Sequence, residues 1–145
     1  MASVLRVSEA ASIGLHAMVV LAAKPKKLLS NRQIAVTLGV SEAHLSKVLQ
    51  QLARAGFLRG TRGPGGGFTI QPGAEDKTLL EVYEAIEGPL RSHKCLLSSA
   101  CGGKNCIFGK LLSSLDNEAR KYLAKATLAD VSKGYTLPKV ATLGE

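Results

Sequence analysis

This sequence predicts a mainly α-helical fold with one small β-hairpin, and three observations carry that expectation. Two short helical segments are separated by only "LGVS", residues 38–41. Directly after them, "FLRGTRGPGGGFTI" sets two β-prone runs around a glycine-rich tip. Further on, residues 107–125 repeat apolar side chains at helical spacing.

The whole chain of 145 residues suits one compact domain, and a hydrophobic fraction of 46% is ample for a core. With no Trp and 4% aromatic residues, that core must be built from Leu, Val, Ile and Ala. Apolar runs such as Ala17–Ala23 fall far short of the roughly 20 residues that a membrane span demands. Residues 1–23 faintly resemble a signal peptide, but Glu9 and His16 interrupt the run and Lys24-Pro25 follows it. They are expected to be a helix of a cytoplasmic protein, whose thiols stay out of disulfides.

Taken in order, Ser8 can cap a helix through Ala10–Ala23, with Ile13, Ala17, Met18 and Leu21 on one apolar stripe. Pro25 ends it. Ser30 and Gln33 form a capping box that opens a short helix, Asn31–Leu38, which Gly39 terminates. Ser41 caps the next helix, Glu42–Ala55, where Leu45, Val48, Leu49 and Leu52 follow the i, i+3, i+4, i+7 pattern. The hairpin strands are expected at Phe57–Arg59 and Phe68–Ile70. Thr78 and Glu81 open a helix that Gly88-Pro89 stops. A long helix, Ile107–Lys125, carries Phe108, Leu111, Leu112, Leu115, Ala119, Tyr122 and Leu123 along one side. Thr127 caps a last short helix, and residues past Ser132 read as a loose tail.

Two helices around a tight turn, with a hairpin at once behind them, make a winged helix-turn-helix. Charge supports a nucleic-acid role for it. Residues 1–70 hold nine Lys or Arg against Glu9 and Glu42, and so carry +7 of the chain's net charge of +8. The second helix leaves Glu42, Ala43, His44, Ser46, Lys47, Gln50 and Arg54 as candidates for an outer face; its N-terminal residues can enter a major groove while Lys47 and Arg54 reach phosphates. Arg59 and Arg62 lie in a loop whose glycines permit close backbone approach, while Asn31 and Arg32 sit where a phosphate could bind. A helix pair with a Gly turn is common in all-α proteins. What raises DNA binding above that reading is that pair, hairpin and charge coincide. "RGPGGGF" lacks the Gly-Lys-Ser/Thr of a P-loop and precedes a strand, not a helix, so a P-loop is excluded. No catalytic constellation of Ser/His/Asp or paired carboxylates stands out, and His16 reads as a packing histidine; an enzyme is not expected.

"VSEAHLSKVLQQLARAGFLRGTRGPGGGFTI", then "TLLEVYEAIEG", three closely spaced cysteines and "TLADV" together resemble the IscR/NsrR type of bacterial transcription regulator. The resemblance runs from about Ile13 to Val131. It implies a dimeric winged-helix protein, of a family in which many members sense iron–sulfur clusters, nitric oxide, iron or redox state. It further implies that Ser41, His44, Ser46 and Lys47 occupy recognition-helix contact positions and that Arg59, Arg62, Gly63, Gly65 and Gly66 form a DNA-touching wing. Ile107–Lys125 would then be the dimerisation helix, crossing its partner; its alternative is to pack back on its own domain.

Cys95, Cys101 and Cys106 are the only cysteines, crowded into "KCLLSSACGGKNCIF", residues 94–108. Thiolates are soft donors that suit an iron–sulfur cluster, zinc or copper(I). Structural zinc would want a fourth protein ligand, with His93 at hand, and a dithiol switch would use two of the three. With the resemblance, a cluster ([4Fe–4S] or [2Fe–2S]) is favoured. Its fourth ligand in relatives is a His three residues after the last cysteine, here Gly109, or an acid in the first helix of the other subunit, here aligned with Ser12. Glu9 and His93 are the remaining protein candidates.

The sequence thus predicts a winged helix-turn-helix over residues 1–77, a sensor loop (94–108) with dimerisation helices over 78–132, and a flexible tail over 133–145. The expected function is a homodimeric transcription regulator, a repressor by family habit, on a palindromic promoter site in double-stranded DNA. A regulator using zinc or free thiols, and a redox or cluster-transfer protein, are the competing readings. The last has no account of the hairpin or the charge asymmetry.

Overall fold

The structure is a computed structural model that describes residues 7–92, 97, 106–108 and 110–134. His93, Cys95, Cys101, Gly109 and the tail from residue 135 lie outside the described residues.

Helix α1 (Glu9–Ala23) starts where Ser8 accepts the Ala11 N–H at 3.0 Å. It is more than the one-striped helix predicted. Val19, Val20 and Ala22 are buried along with Ile13, Ala17, Met18 and Leu21, because α1 runs through the middle of the molecule with other helices packed around it. Helix α2 (Asn31–Leu38) opens on the predicted capping box. Ser30 Oγ accepts the Gln33 N–H at 3.1 Å, and Gln33 Oε1 accepts the Ser30 N–H at 2.9 Å. It closes on Gly39 in the left-handed region, at φ 66°.

Helix α3 (Glu42–Arg54) follows with Ser41 as N-cap, and it buries Leu45, Val48, Leu49 and Leu52, as the spacing requires. Each such side chain contributes about 1.5–3 kcal/mol on leaving water. Strands β1 (Leu58–Thr61) and β2 (Gly67–Ile70) pair antiparallel, with Leu58 opposite Ile70 and Thr61 opposite Gly67. The strands extend further toward the tip than predicted, since Gly60, Thr61 and Gly67 join the ladder.

A third, one-residue strand was not legible in the sequence. Leu29 and Phe68 exchange both backbone hydrogen bonds, at 3.0 and 2.8 Å, which ties the segment before α2 to the hairpin. Gly67 is required there, because a Cβ on it would collide with the Leu29 carbonyl.

A single 3₁₀ turn, Ala74–Asp76, leads to α4 (Leu79–Glu87), whose capping box of Thr78 and Glu81 is present as predicted. Helix α5 covers Leu111–Lys125, a later start than the expected Ile107. Ile107 and Phe108 instead form a turn closed by the Leu111 N–H on the Phe108 carbonyl at 3.0 Å. A β-branched residue and a glycine so close together make a poor helical first turn. Helix α6 (Leu128–Gly134) begins with the Asp130 N–H on Thr127 Oγ1 at 3.1 Å and runs two residues past Ser132, where the tail was expected.

One core joins these elements. Leu79, Val82 and Leu128 belong to the same buried cluster as Met18, Leu29, Ile34, Leu49 and Ile70. Residues before α4 and before α6 are also stitched together. Leu79 N–H bonds the Ala126 carbonyl and Leu128 N–H bonds the Lys77 carbonyl, both at 2.9 Å. Among the described residues no helix is long and apolar enough to cross a membrane.

Candidate nucleic-acid interface

Burial separates the two sides of α3 as amphipathic spacing demands. Ala43, Lys47, Gln50 and Arg54 are exposed and His44 and Ser46 half-buried, while the leucine side is sealed in the core. Arg59, Arg62, Gly63 and Gly65 are exposed on the neighbouring hairpin and its tip. An open groove of about 630 Å³ runs between the two, lined among others by Asn31, Gln50, Arg54, Thr61, Arg62 and Gly66.

Charge in this region is largely unspent. Among the described residues no ion pair engages Lys47, Arg54, Arg59 or Arg62, so their cationic ends are free for a polyanion. Arg32 differs, since its Nε stands 3.8 Å from Glu42 Oε1 on the surface.

Several predicted site residues have structural work as well. Ser41 Oγ caps α3 by accepting the His44 N–H at 3.4 Å. Asn31 Nδ2 donates to the Glu42 carbonyl at 3.0 Å and so fastens α2 to the first turn of α3. Its Oδ1 is buried without a partner at the edge of the groove. Ser46 Oγ accepts from Gln50 Nε2 at 3.2 Å, which orients that amide along the helix face. At the tip, Gly63 and Gly65 have φ of 94° and 74°, and a Cβ on Gly66 would strike the Thr61 carbonyl. The wing therefore needs its glycines to turn, quite apart from any ligand.

The metal candidates are less assembled. Cys106 is a free, half-buried thiol just before α5; Cys95, Cys101 and His93 lie outside the described residues. Among the described residues no group of three or more His, Cys, Asp or Glu comes together. Ser12 is half-buried on α1, and its carbonyl lies 2.7 Å from His16 Nδ1, so His16 is engaged locally on the helix surface. Glu9 is exposed, with Oε1 3.7 Å from His44 Nδ1, which joins the start of α1 to the candidate recognition face.

A half-exposed, basic second helix beside a glycine-turned hairpin defines a winged helix-turn-helix protein. The Rrf2 family profile, described as an iron-dependent transcriptional regulator, matches residues 7–134, and the chain belongs to that family. It is similar to the HTH-type transcriptional regulator NsrR of Bacillus subtilis (strain 168), at 32% identity over 128 residues that cover 82% of this chain and 84% of that one. Similarity to the HTH-type transcriptional regulator IscR of Vibrio atlanticus (strain LGP32) is 29% over 96 residues, 66% of this chain and 56% of that protein. Its match therefore spans little more than half of the IscR relative. Among solved structures, CymR, the global cysteine regulator of B. subtilis, aligns with a TM-score of 0.74 at 26% identity, covering 90% of this chain and 98% of that one. The chain is a DNA-binding transcriptional regulator and not an enzyme.

Sequence reasoning missed two connections here. The Leu29–Phe68 bridge had a faint signal in the apolar pair Leu28-Leu29, isolated between a lysine turn and a cap. The second is a side chain of α3, Gln51, which reaches α4: its Nε2 lies 3.1 Å from both the Ala85 and Ile86 carbonyls. No sequence pattern marks a glutamine for that role.

Proposed function

We propose that the chain is a homodimeric repressor that binds a palindromic promoter site and is controlled by an iron–sulfur cluster held by Cys95, Cys101 and Cys106. The observation that carries the DNA half is a set of cations without ion pairs among the described residues: Arg54 and Arg62 line the groove between α3 and the hairpin, and Lys47 and Arg59 are exposed on the same two elements. His44, Ser46, Lys47 and the Ser41 end of α3 are the candidates for base edges and neighbouring phosphates. Asn31, Arg32, Arg54 and the wing residues Arg59, Arg62, Gly63, Gly65 and Gly66 are assigned to the backbone or the minor groove. In this division of labour residues 1–77 bind DNA and residues 78–132 carry the sensor and the dimer contact, in a cytoplasmic protein.

The donor set suits the cofactor: three thiols within one short segment are soft ligands for iron, and Cys106 is unbonded and partly accessible. Glu9, Ser12 and His93 remain the candidates for a fourth protein ligand. When bound, such a cluster supplies redox and ligand-exchange chemistry that thiols alone lack. A dimer is supported by α5, which buries none of its residues in the single chain. A second reading, a regulator that responds through free thiols, is favoured by the likeness to the global cysteine regulator.

DNA selected from random sequence by the protein is expected to be palindromic, with affinity falling steeply as salt rises. Arg62→Ala should weaken binding and lower the log–log salt slope by about one. An unchanged slope would remove the wing from the interface. Anaerobically purified protein should be brown, with iron and sulfide that Cys101→Ala abolishes. Colourless protein carrying stoichiometric zinc, or no metal, moves the function to the thiol reading.

A further inference from the structure

Helix α4 is the last regular element before the cysteines among the described residues, and its last turn is held from several directions. Helix C-termini leave carbonyls without intrahelical partners. At α4 the Glu84 carbonyl is taken by the Gly88 N–H at 2.9 Å, which leaves Ala85, Ile86 and Glu87, and the first two are met by one side chain. Both of those carbonyls lie 3.1 Å from Gln51 Nε2, a side chain of the candidate recognition helix. The chain leaving α4 is tied back as well: Leu90 N–H bonds Glu84 Oε1 at 3.2 Å, and Arg120 of α5 approaches the same oxygen at 3.6 Å. Helices on both sides of the cysteine segment thus meet at Glu84, one residue before the pair of carbonyls that Gln51 grips.

The same turn is also packed against α1 and α3. A Cβ on Gly14 of α1 would run into Ile86 Cδ1, and Val48 of α3 borders the same spot. Ser8, the cap of α1, also hydrogen-bonds Glu87. A shift of the α4 terminus therefore must be taken up by its neighbours, and the directional link to α3 is the Gln51 amide.

We propose that Gln51 is a positioning residue that transmits displacement of the α4 terminus to the recognition helix. It acts through the helices it joins, setting the orientation of α3 relative to the helix that precedes the cysteine segment. This inference rests on the reading of the cysteines as a sensor. Its chemistry is specific. The link needs an N–H donor aimed at carbonyl oxygens, so Gln51→Glu preserves shape but removes the donor and sets a carboxylate against two carbonyls. Gln51→Lys restores a donor.

The experiment uses the full chain and a duplex carrying a site that wild-type protein selects from random DNA. Affinities of cluster-loaded and cluster-free wild-type protein are expected to differ by between about five- and 150-fold, the usual range of allosteric coupling. Gln51→Glu should bring that ratio to within about twofold with its visible spectrum unchanged, and Gln51→Lys should keep it. A second measurement needs no cluster. In metal-free wild-type protein, DNA binding should slow amide hydrogen exchange across residues 84–90, and in Gln51→Glu it should not. An undiminished affinity ratio in Gln51→Glu, or equal protection in both proteins, overturns the proposal. If wild-type protein shows no difference between its two forms, the sensor reading fails, and the exchange measurement decides the role of Gln51 by itself.

Discussion

Helices α3 and α5 carry the same kind of apolar repeat, yet the molecule treats them differently. Leu45, Leu49 and Leu52 of α3 are fully buried and Val48 nearly so. In α5 no residue is buried: Leu111, Leu115 and Tyr122 are 49%, 40% and 67% exposed, in line with Phe108 one turn before the helix. Leu112, Ala119 and Leu123, on the side leaning toward α4, are only half-covered. Periodicity specifies that a helix has an apolar face; it does not specify what covers it. For α3 the cover is α1, β1 and α4 of the same chain. For α5 the described residues supply no such cover, and a second copy is the occupant proposed above.

The contrast can be broken or sharpened by substitution. Leu49→Ala should have the largest effect, a loss of about 2–5 kcal/mol measured by denaturant unfolding, because it opens a cavity in a close-packed site. Gly67→Ala should come next. The collision with the Leu29 carbonyl forces either strand or bridge to move, at a cost of about 1–3 kcal/mol. Its DNA affinity should fall further than its stability accounts for, as the wing shifts against α2.

Leu115→Ala provides the counterpart in α5. In dilute protein the unfolding free energy should change by less than about 0.5 kcal/mol, as for an ordinary surface position. At high concentration the wild type should gain stability that the variant does not. A large loss in dilute protein would show that α5 is covered within its own chain.

The smallest effect expected is acid-dependent. The Thr78 N–H donates to Glu81 at 2.8 Å and, with Lys77 nearby, holds its carboxyl below the ordinary value against a slight opposing effect of burial. A depressed folded pKa gives stability that is present above the unfolded value and lost as pH falls through the folded one. Glu81→Gln keeps the capping geometry and drops the titration. Its unfolding midpoint should therefore decline less than the wild type's between about pH 5 and pH 3. With Glu81 largely in water, the difference should be a few tenths of a kcal/mol.

What could be read from the sequence follows from how local each determinant is. Ser30 with Gln33, Thr78 with Glu81 and the left-handed Gly39 are decided within a few residues, and each is in place. The recognition face could be listed because burial of Leu45, Val48, Leu49 and Leu52 fixes by geometry what is left outside. The start of α5 was misplaced by four residues because apolar spacing continues through Ile107 and Phe108, where the backbone makes a turn instead. Leu29 with Phe68 and Gln51 with Ala85 lie far apart in the chain, and one bridge or one amide leaves no periodic trace. The fourth ligand proposed for the three cysteines would be of the same long-range kind. Their crowding in sequence restricts where they can be, but the partner that completes them is set by tertiary structure.

The core itself has one more consequence. Among the described residues no polar or charged side chain is buried; the interior is aliphatic apart from Met18 and Phe57. Apart from the thioether of Met18, none of these buried side chains can take up a proton, trade electrons or bind an ion. Under the sensing role proposed above, chemistry would act on side chains outside this core, and the scaffold that reads the signal would have no buried charge of its own to disturb. Such a protein can be switched repeatedly and remain intact.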